Sequence, residues 1–305
     1  MSKTLLSFRS RRNDKGLGIA FAQILRDRAA FLTKGASDML RPLRSFTNAT
    51  VKATDGEIGS VEQFYFDDQK WTIRYLVINT GGWLTGRKVL ISPIAVGRME
   101  PMPETIRISL TRKQIEGSPN IETEKPVSRQ MEMKYHDYYR WPYYWTGAGI
   151  WGMAPYPAGM LGQVPISPTQ PDPLSDSSKE QGDDHLRSTH AVTGYRIEAS
   201  DGRFGHVEDF IIDDESWSIR YLIIDTINFW PSKSVLISPQ WVDSISWAGR
   251  KFRINVTEDK IKKAPEFHPN TPISREYEEK LHDHYGRPKY WGRDSRDSTP
   301  DSSAA

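Results

Sequence analysis

One register of self-similarity governs this chain. Residues 55–145 align with residues 201–291 at a constant offset of 146, with 37 of the 91 positions identical and no gap. The identities fall in blocks. Asp55-Gly56 answers Asp201-Gly202, Asp67-Asp68 answers Asp213-Asp214, and Ile73-Arg74-Tyr75-Leu76 answers Ile219-Arg220-Tyr221-Leu222. Val89-Leu90-Ile91-Ser92-Pro93 answers Val235-Leu236-Ile237-Ser238-Pro239, and His136-Asp137 answers His282-Asp283. Solenoid repeats have periods of about 20–50 residues, so a unit this long is a duplicated small domain. Any function has to be compatible with a two-fold-like pair.

Within each copy the pattern is β-rich, then helical. Asp55-Gly56 is a tight hairpin signal between Val51–Ala53 and Ile58–Phe66. Gly56, Gly59, Gly202 and Gly205 are read as structural turn glycines, needed for positive φ and close backbone approach. A strand over 71–79, another over 87–92 ended by Pro93, and a third over 105–110 follow. Five or six short strands at this spacing predict a small closed barrel, which also removes exposed edges. Thr111 and Thr257 cap a first helix, and Ser128 and Ser274 cap a second that stops before Pro142 and Pro288. In the second helix Met131, Tyr135 and Tyr138 share a face. Tyr144-Trp145 and Tyr290-Trp291 anchor these helices to the barrels.

The formal net charge of +2 hides an uneven distribution. Residues 1–44 hold ten Lys/Arg against three Asp, a net of +7. A basic arm on a mildly acidic body suits an anionic membrane surface or RNA. The apolar run from Gly16 to Leu25 is short of the roughly 20 residues a span requires, so no transmembrane helix is expected. It reads as a surface-lying amphipathic helix or a locally docked one. The chain has no cysteine, which excludes disulfides and thiolate chemistry. The expected location is the cytoplasm, with peripheral attachment to the inner face of a membrane as one option.

Five segments result. Residues 1–43 are a basic, partly helical arm; 44–145 and 190–292 are the two barrels with their C-terminal helices. Residues 146–189 are a linker, aromatic at first and then Ser/Pro/Asp-rich and disordered, and 293–305 are a disordered tail. The aromatic part is read as a clamp across both domains.

The Asp-Gly-x-x-Gly hairpin, the Val-Glu-x-Phe strand, the Asp-Asp turn before Trp, the Arg-Tyr-Leu-(Val/Ile)-Ile strand and the Val-Leu-Ile-Ser-Pro segment together resemble the PRC-barrel family. That family includes the cytoplasmic barrel of the photosynthetic reaction-centre H subunit and occurs in ribosome-maturation factors. The likeness covers about residues 44–116 and 190–262. It implies a mainly β chain of two tandem barrels, each followed by short α-helices, paired about a pseudo-two-fold. It also implies a docking or scaffold role without general catalytic residues, linked to a reaction-centre-like or electron-transport assembly.

Several constellations invite chemistry. Glu132 and His136, and Glu278 and His282, stand four apart on a predicted helix, a spacing able to seat a divalent metal. An exposed i,i+4 pair worth about 0.2–0.5 kcal/mol explains the same pattern and is preferred, so no cofactor is expected. The Asp-Asp pairs are read as turn-shaping. Arg74 and Arg220 either meet an acidic partner or bridge to Asp67/Asp68 and their counterparts; the bridge is preferred. Trp71 and Trp217 are taken as packing anchors. The copies differ most at 81–88 and 94–105 against 227–234 and 240–251, placing candidate protein-binding residues at Trp83, Phe229, Trp230, Trp241 and Trp247. The resulting expectation is a non-enzymatic docking protein whose repeats pack on each other and whose protein partners the sequence does not name. The alternatives are a metal- or ligand-binding accessory module, or an RNA- or ribosome-associated factor.

Overall fold

The computed structural model describes residues 40–97, 104–120, 127–161, 185–226, 233–269 and 271–292. Asp55-Gly56 turns β2 (Thr50–Ala53) into the long β3 (Gly56–Asp67), with Gly56 at φ +146°. Gly59 and Gly205 lie inside strands, not at the turn. A Cβ on Gly59 would fall 2.0 Å from the Asn79 carbonyl oxygen, and one on Gly205 would fall 2.1 Å from that of Asp225. These two glycines let the neighbouring strand pass close by.

The first sheet runs β5 (Lys88–Ile91), β4 (Thr72–Asn79), β3, β2, β6 (Thr105–Arg107). The second repeats it as β11 (Ser234–Ile237), β10 (Ile219–Asp225), β9 (Arg203–Asp213), β8 (Arg196–Glu198), β13 (Lys251–Ile254), with β12 (Val242–Ser246) added at the end. Only β2–β6 and β8–β13 pair in parallel, so the chain is mainly β with two mixed sheets.

The expected hydrogen-bonded closure is not found. Among the described residues no ladder joins β5 to β6 or β11 to β12. Ser92-Pro93 and Ser238-Pro239 stop β5 and β11 with a 3-10 turn, whose first amide is capped by the serine hydroxyl. In the first half, a single bridge from Val96 to Ile108 brings the chain back beside β6.

Two short strands that pattern alone does not reveal tie the halves together. β1 (Leu40–Pro42) pairs with β9 of the second sheet, and β7 (Leu186–Ser188) pairs with β3 of the first. They occupy equivalent positions, so each half lends its leading strand to the other. The Asp-Asp turns secure the exchange. Arg41 meets Asp214 at 2.8 Å, and Arg187 meets Asp68 at 2.8 Å. Around the pseudo-two-fold, Ile73 N–H donates to Trp217 O at 2.8 Å and Ile219 N–H donates to Trp71 O at 2.7 Å. Trp71 and Trp217, both at positive φ, carry their rings across: Trp71 lies 6.0 Å from Phe252 and Trp217 lies 6.4 Å from Phe46. One continuous apolar core results, with residues of both halves in it.

The exchange moves two expected boundaries. Residues 40–43, assigned to the arm, and 186–189, assigned to a disordered linker, are structured parts of the sheets and their following turns. Three-residue strands carry too few side chains for alternation to show. Arg41 and Arg44 are also withdrawn from the pool of free basic groups, since Arg44 meets Glu208 at 2.6 Å. The remaining arm (1–39), residues 162–184 and the tail from 293 lie outside the described residues.

The helices follow their caps. Thr111 and Thr257 start α1 (Arg112–Glu116) and α4 (Glu258–Lys262); α3 is the single turn Thr189–Val192. Ser128 and Ser274 start α2 (Arg129–Tyr139) and α5 (Arg275–Tyr285). In α2 the expected shared face divides, with Tyr135 buried and Tyr138 exposed. Among the described residues no helix is long and apolar enough to cross a membrane.

Candidate functional site

α2 and α5 each lay a Glu and a His onto the outer face of a sheet, against Tyr75 of β4 and Tyr221 of β10. The expected exposed i,i+4 pair is thereby corrected: Glu132 and His136 are both 0% exposed, and Glu278 and His282 are both 2% exposed. Tyr75 OH lies 3.1 Å from Glu132 Oε1 and 3.1 Å from His136 Nε2. His136 Nδ1 faces the Pro142 carbonyl at 2.8 Å. A carbonyl only accepts, so Nδ1 carries the ring proton and Nε2 is an acceptor. Tyr144 OH donates to Glu132 Oε1 at 2.5 Å, and Arg129 Nη1 reaches Oε2 at 2.9 Å.

The second copy repeats the arrangement. Tyr221 OH lies 2.9 Å from Glu278 Oε1 and 3.0 Å from His282 Nε2, and His282 Nδ1 faces Pro288 O at 2.9 Å. Tyr290 OH donates to Glu278 Oε1 at 2.8 Å, and Arg275 meets Oε2 at 2.8 Å.

Electrostatics separate the two copies. Burial pushes His136 down to about 4, so it is neutral near pH 7, and burial lowers His282 as well. Burial alone would raise Glu132, but His185, 3.4 Å from Oε2, together with Arg129 and Tyr144, brings it below its ordinary value. Glu278, by contrast, is raised, and burial is the main cause. In each copy a tyrosine hydroxyl stands between the carboxylate and the imidazole, and both groups are sealed from solvent. Among the described residues no three His, Asp or Glu side chains converge as a metal would require.

The open feature of the molecule lies elsewhere, at the β-bulges. Pairing of β3 with β4 skips from Tyr65↔Tyr75 to Phe66↔Ile73, leaving Arg74 as the extra residue; Arg220 is the extra residue where β9 pairs with β10. Asp67 Oδ1 accepts the Gln69 and Lys70 amides, and its Oδ2 accepts Arg74 Nη2 at 3.0 Å. Asp213 holds Arg220 Nη2 at 2.9 Å in the same way. The bridging arrangement expected for these arginines is the one observed.

Over Arg74 the aromatic linker forms a strap. Arg74 Nη1 donates to Ile150 O at 2.8 Å, and Lys70 Nζ donates to Gly149 O at 2.7 Å. The Tyr144 and Trp151 rings lie 3.9 and 4.8 Å from the guanidinium carbon, and Trp151 Nε1 donates across to Ser216 O at 2.8 Å. Arg74 is 0% exposed as a result. Over Arg220 there is instead a cleft of about 740 Å³, adjoined by one of about 360 Å³. Met153, Tyr156, Arg220, Gln240, Arg275 and Trp291 line the larger. Met153 is 75% and Tyr156 36% exposed, so two of the three exposed large hydrophobic side chains among the described residues stand on this rim.

None of the described docking candidates, Trp83, Trp241 and Trp247, lines this cleft. Trp241 is buried, with its indole 4.8 Å from Tyr285 and 5.2 Å from His282, so it offers a partner no surface. Trp83 is half-buried under Arg112 at 4.6 Å, and Trp247 packs beside Tyr195 beneath Arg187 at 4.4 Å. Phe229 and Trp230 lie outside the described residues. The available signal was a contrast between linkers: the first copy is followed by Gly-Ile-Trp-Gly-Met, and the second by a polar tail with no aromatic residue. In comparisons with known proteins, no family model and no curated sequence matches the chain.

Proposed function

We propose that this chain is a non-enzymatic docking protein made of two PRC-barrel-type modules fixed as a pseudo-dimer. The observation that carries this reading is a division of labour. Groups suited to chemistry and shared by both copies are consumed in sealed Tyr–Glu–His networks, while the exposed apolar rim and the cleft occur where the copies differ. Exchanged strands and a common core favour a rigid spacing between two binding faces. In this reading residues 1–39 tether the pair to an anionic surface, at the inner face of a membrane carrying an electron-transport assembly.

The test is cross-linked affinity capture from native cells, read by peptide mapping. The expected result is a stoichiometric protein partner whose cross-links reach residues 148–156 or 290–291. Stoichiometric metal in the purified chain, lost in His136→Ala and His282→Ala, overturns the reading in favour of a metal-dependent module. Liposome co-sedimentation with and without residues 1–39 checks the tether, and salt-sensitive RNA binding with the same deletion would replace it.

A further inference from the structure

The two bulge arginines form an internal experiment. Positions related by the offset of 146 pair Arg74 with Arg220, Asp67 with Asp213, Tyr144 with Tyr290, Trp145 with Trp291 and Arg129 with Arg275. The surroundings correspond closely. Arg129 lies 4.2 Å from the Trp145 ring and Arg275 lies 4.3 Å from the Trp291 ring. The first seat is filled by the strap, whereas the second is the 740 Å³ cleft. Arg74 has its carboxylate, a main-chain carbonyl and two aromatic faces. Arg220 has Asp213 and the Tyr290 ring at 4.4 Å, and its side chain remains 20% exposed.

We propose that the cleft over Arg220 is a docking seat for an extended segment of a partner protein, bound as the strap binds over Arg74. This rests on the docking reading above and names its partner chemistry. A main-chain carbonyl of the segment accepts from Arg220, as Ile150 O accepts from Arg74. An aromatic residue followed by a glycine covers the guanidinium, as Trp151 does before Gly152. Met153 and Tyr156 form the apolar rim. The seat differs from its template at Gln240, Ser216 and Glu215, where the first copy has Ile94, Lys70 and Gln69. It therefore favours a segment with a polar side chain next to its aromatic one. The bound form is an anchor of aromatic plus carbonyl over arginine, a pairing enriched at energetic centres of interfaces.

The test uses the full chain and a fluorescent peptide with the sequence of residues 146–155, read by anisotropy. Saturable binding is expected. It should weaken at least about tenfold in Arg220→Gln, in Gln240→Trp, and for a peptide with alanine in place of its tryptophan. It should be unchanged in Arg253→Ala, which lines neither cavity. Gln240 is exposed, so Gln240→Trp blocks the cleft without disturbing the Asp213–Arg220 pair and serves if Arg220→Gln folds poorly. Absence of saturable binding, or equal binding in Gln240→Trp, overturns the proposal. Binding only to a chain ended at Gly292 assigns the seat to the chain's own tail. Self-association dispersed by the peptide assigns it to a second copy. Either of these also overturns it. Failure of the peptide while native capture still yields a partner removes this seat and leaves the docking reading standing.

Discussion

Replacing each bulge arginine by methionine keeps an unbranched, apolar stem and removes the charge, and the two replacements should differ sharply in cost. Arg74 is fully buried, and its partner Asp67 has a side chain only 8% exposed. Losing the cation strands that carboxylate with only the two turn amides, a loss of the kind that costs about 3–5 kcal/mol. The strap also loses the donor to Ile150 O, about 1 kcal/mol, and the cation beneath Tyr144 and Trp151. These terms overlap, so about 4–5 kcal/mol is expected for Arg74→Met. At Arg220 the side chain is one-fifth exposed, Asp213 (side chain 9% exposed) borders the cleft and gains water once the guanidinium is gone, and among the described residues no strap carbonyl accepts from Arg220. About 1–2 kcal/mol is expected there. Urea unfolding followed by tryptophan fluorescence and far-ultraviolet circular dichroism gives both values, provided the urea dependence stays the same. Adding Asp67→Asn to Arg74→Met should recover part of the loss, because the stranded charge disappears. Costs equal within about 0.5 kcal/mol, or a larger cost at Arg220, would refute the idea that the strap distinguishes the two halves.

Gly59→Ala and Gly205→Ala each drive a Cβ into a main-chain oxygen at about 2 Å, so each should cost more than about 4 kcal/mol or abolish soluble expression; near-wild-type melting of either would rule out the close approach. Two buried groups oppose each other in acid. His136 falls from its ordinary 6.5 to about 4 on folding, so between those values the unfolded chain binds more protons and stability rises with pH by about 3 kcal/mol. Asp209 is raised by burial from 3.8 to about 6, so the folded chain binds more protons there and stability falls with pH by a similar amount. Asp209→Asn should therefore steepen the rise of stability from pH 4 to 6, and His136→Gln should reverse it; denaturation midpoints that stay parallel to wild type would discount both assignments. Deleting residues 1–42 removes β1, and hydrogen exchange should then show loss of protection near Ile211–Asp213 in the other half; unchanged protection there would argue against the exchange.

The strands, caps and hairpins were legible because each follows a local rule. Thr111, Ser128, Thr257 and Ser274 cap where their hydroxyls precede a helical run, and Ser92-Pro93 ends a strand. Glu132 and His136 misled because helix spacing says which face they share and nothing of what covers that face. The covering group, Tyr75, lies 57 residues away from Glu132 on a strand buried on both sides. The short exchanged strands were invisible for a related reason. Their partners lie across the chain, and three residues hold no periodicity. The cleft over Arg220 was half visible: the repeat named its arginine and anchors, but only the strap's path over Arg74 gives the position a meaning.

The reciprocal loan of β1 and β7 has a consequence for how the molecule comes apart. A single peptide-bond break anywhere between residues 162 and 184 yields two fragments, neither of which contains a complete sheet of its own. Each fragment completes the other, so such a nicked protein should sediment as one particle and its pieces should reassemble only together. Loosening one half loosens the other, so the two sheets keep their spacing even when the covalent link between them is lost.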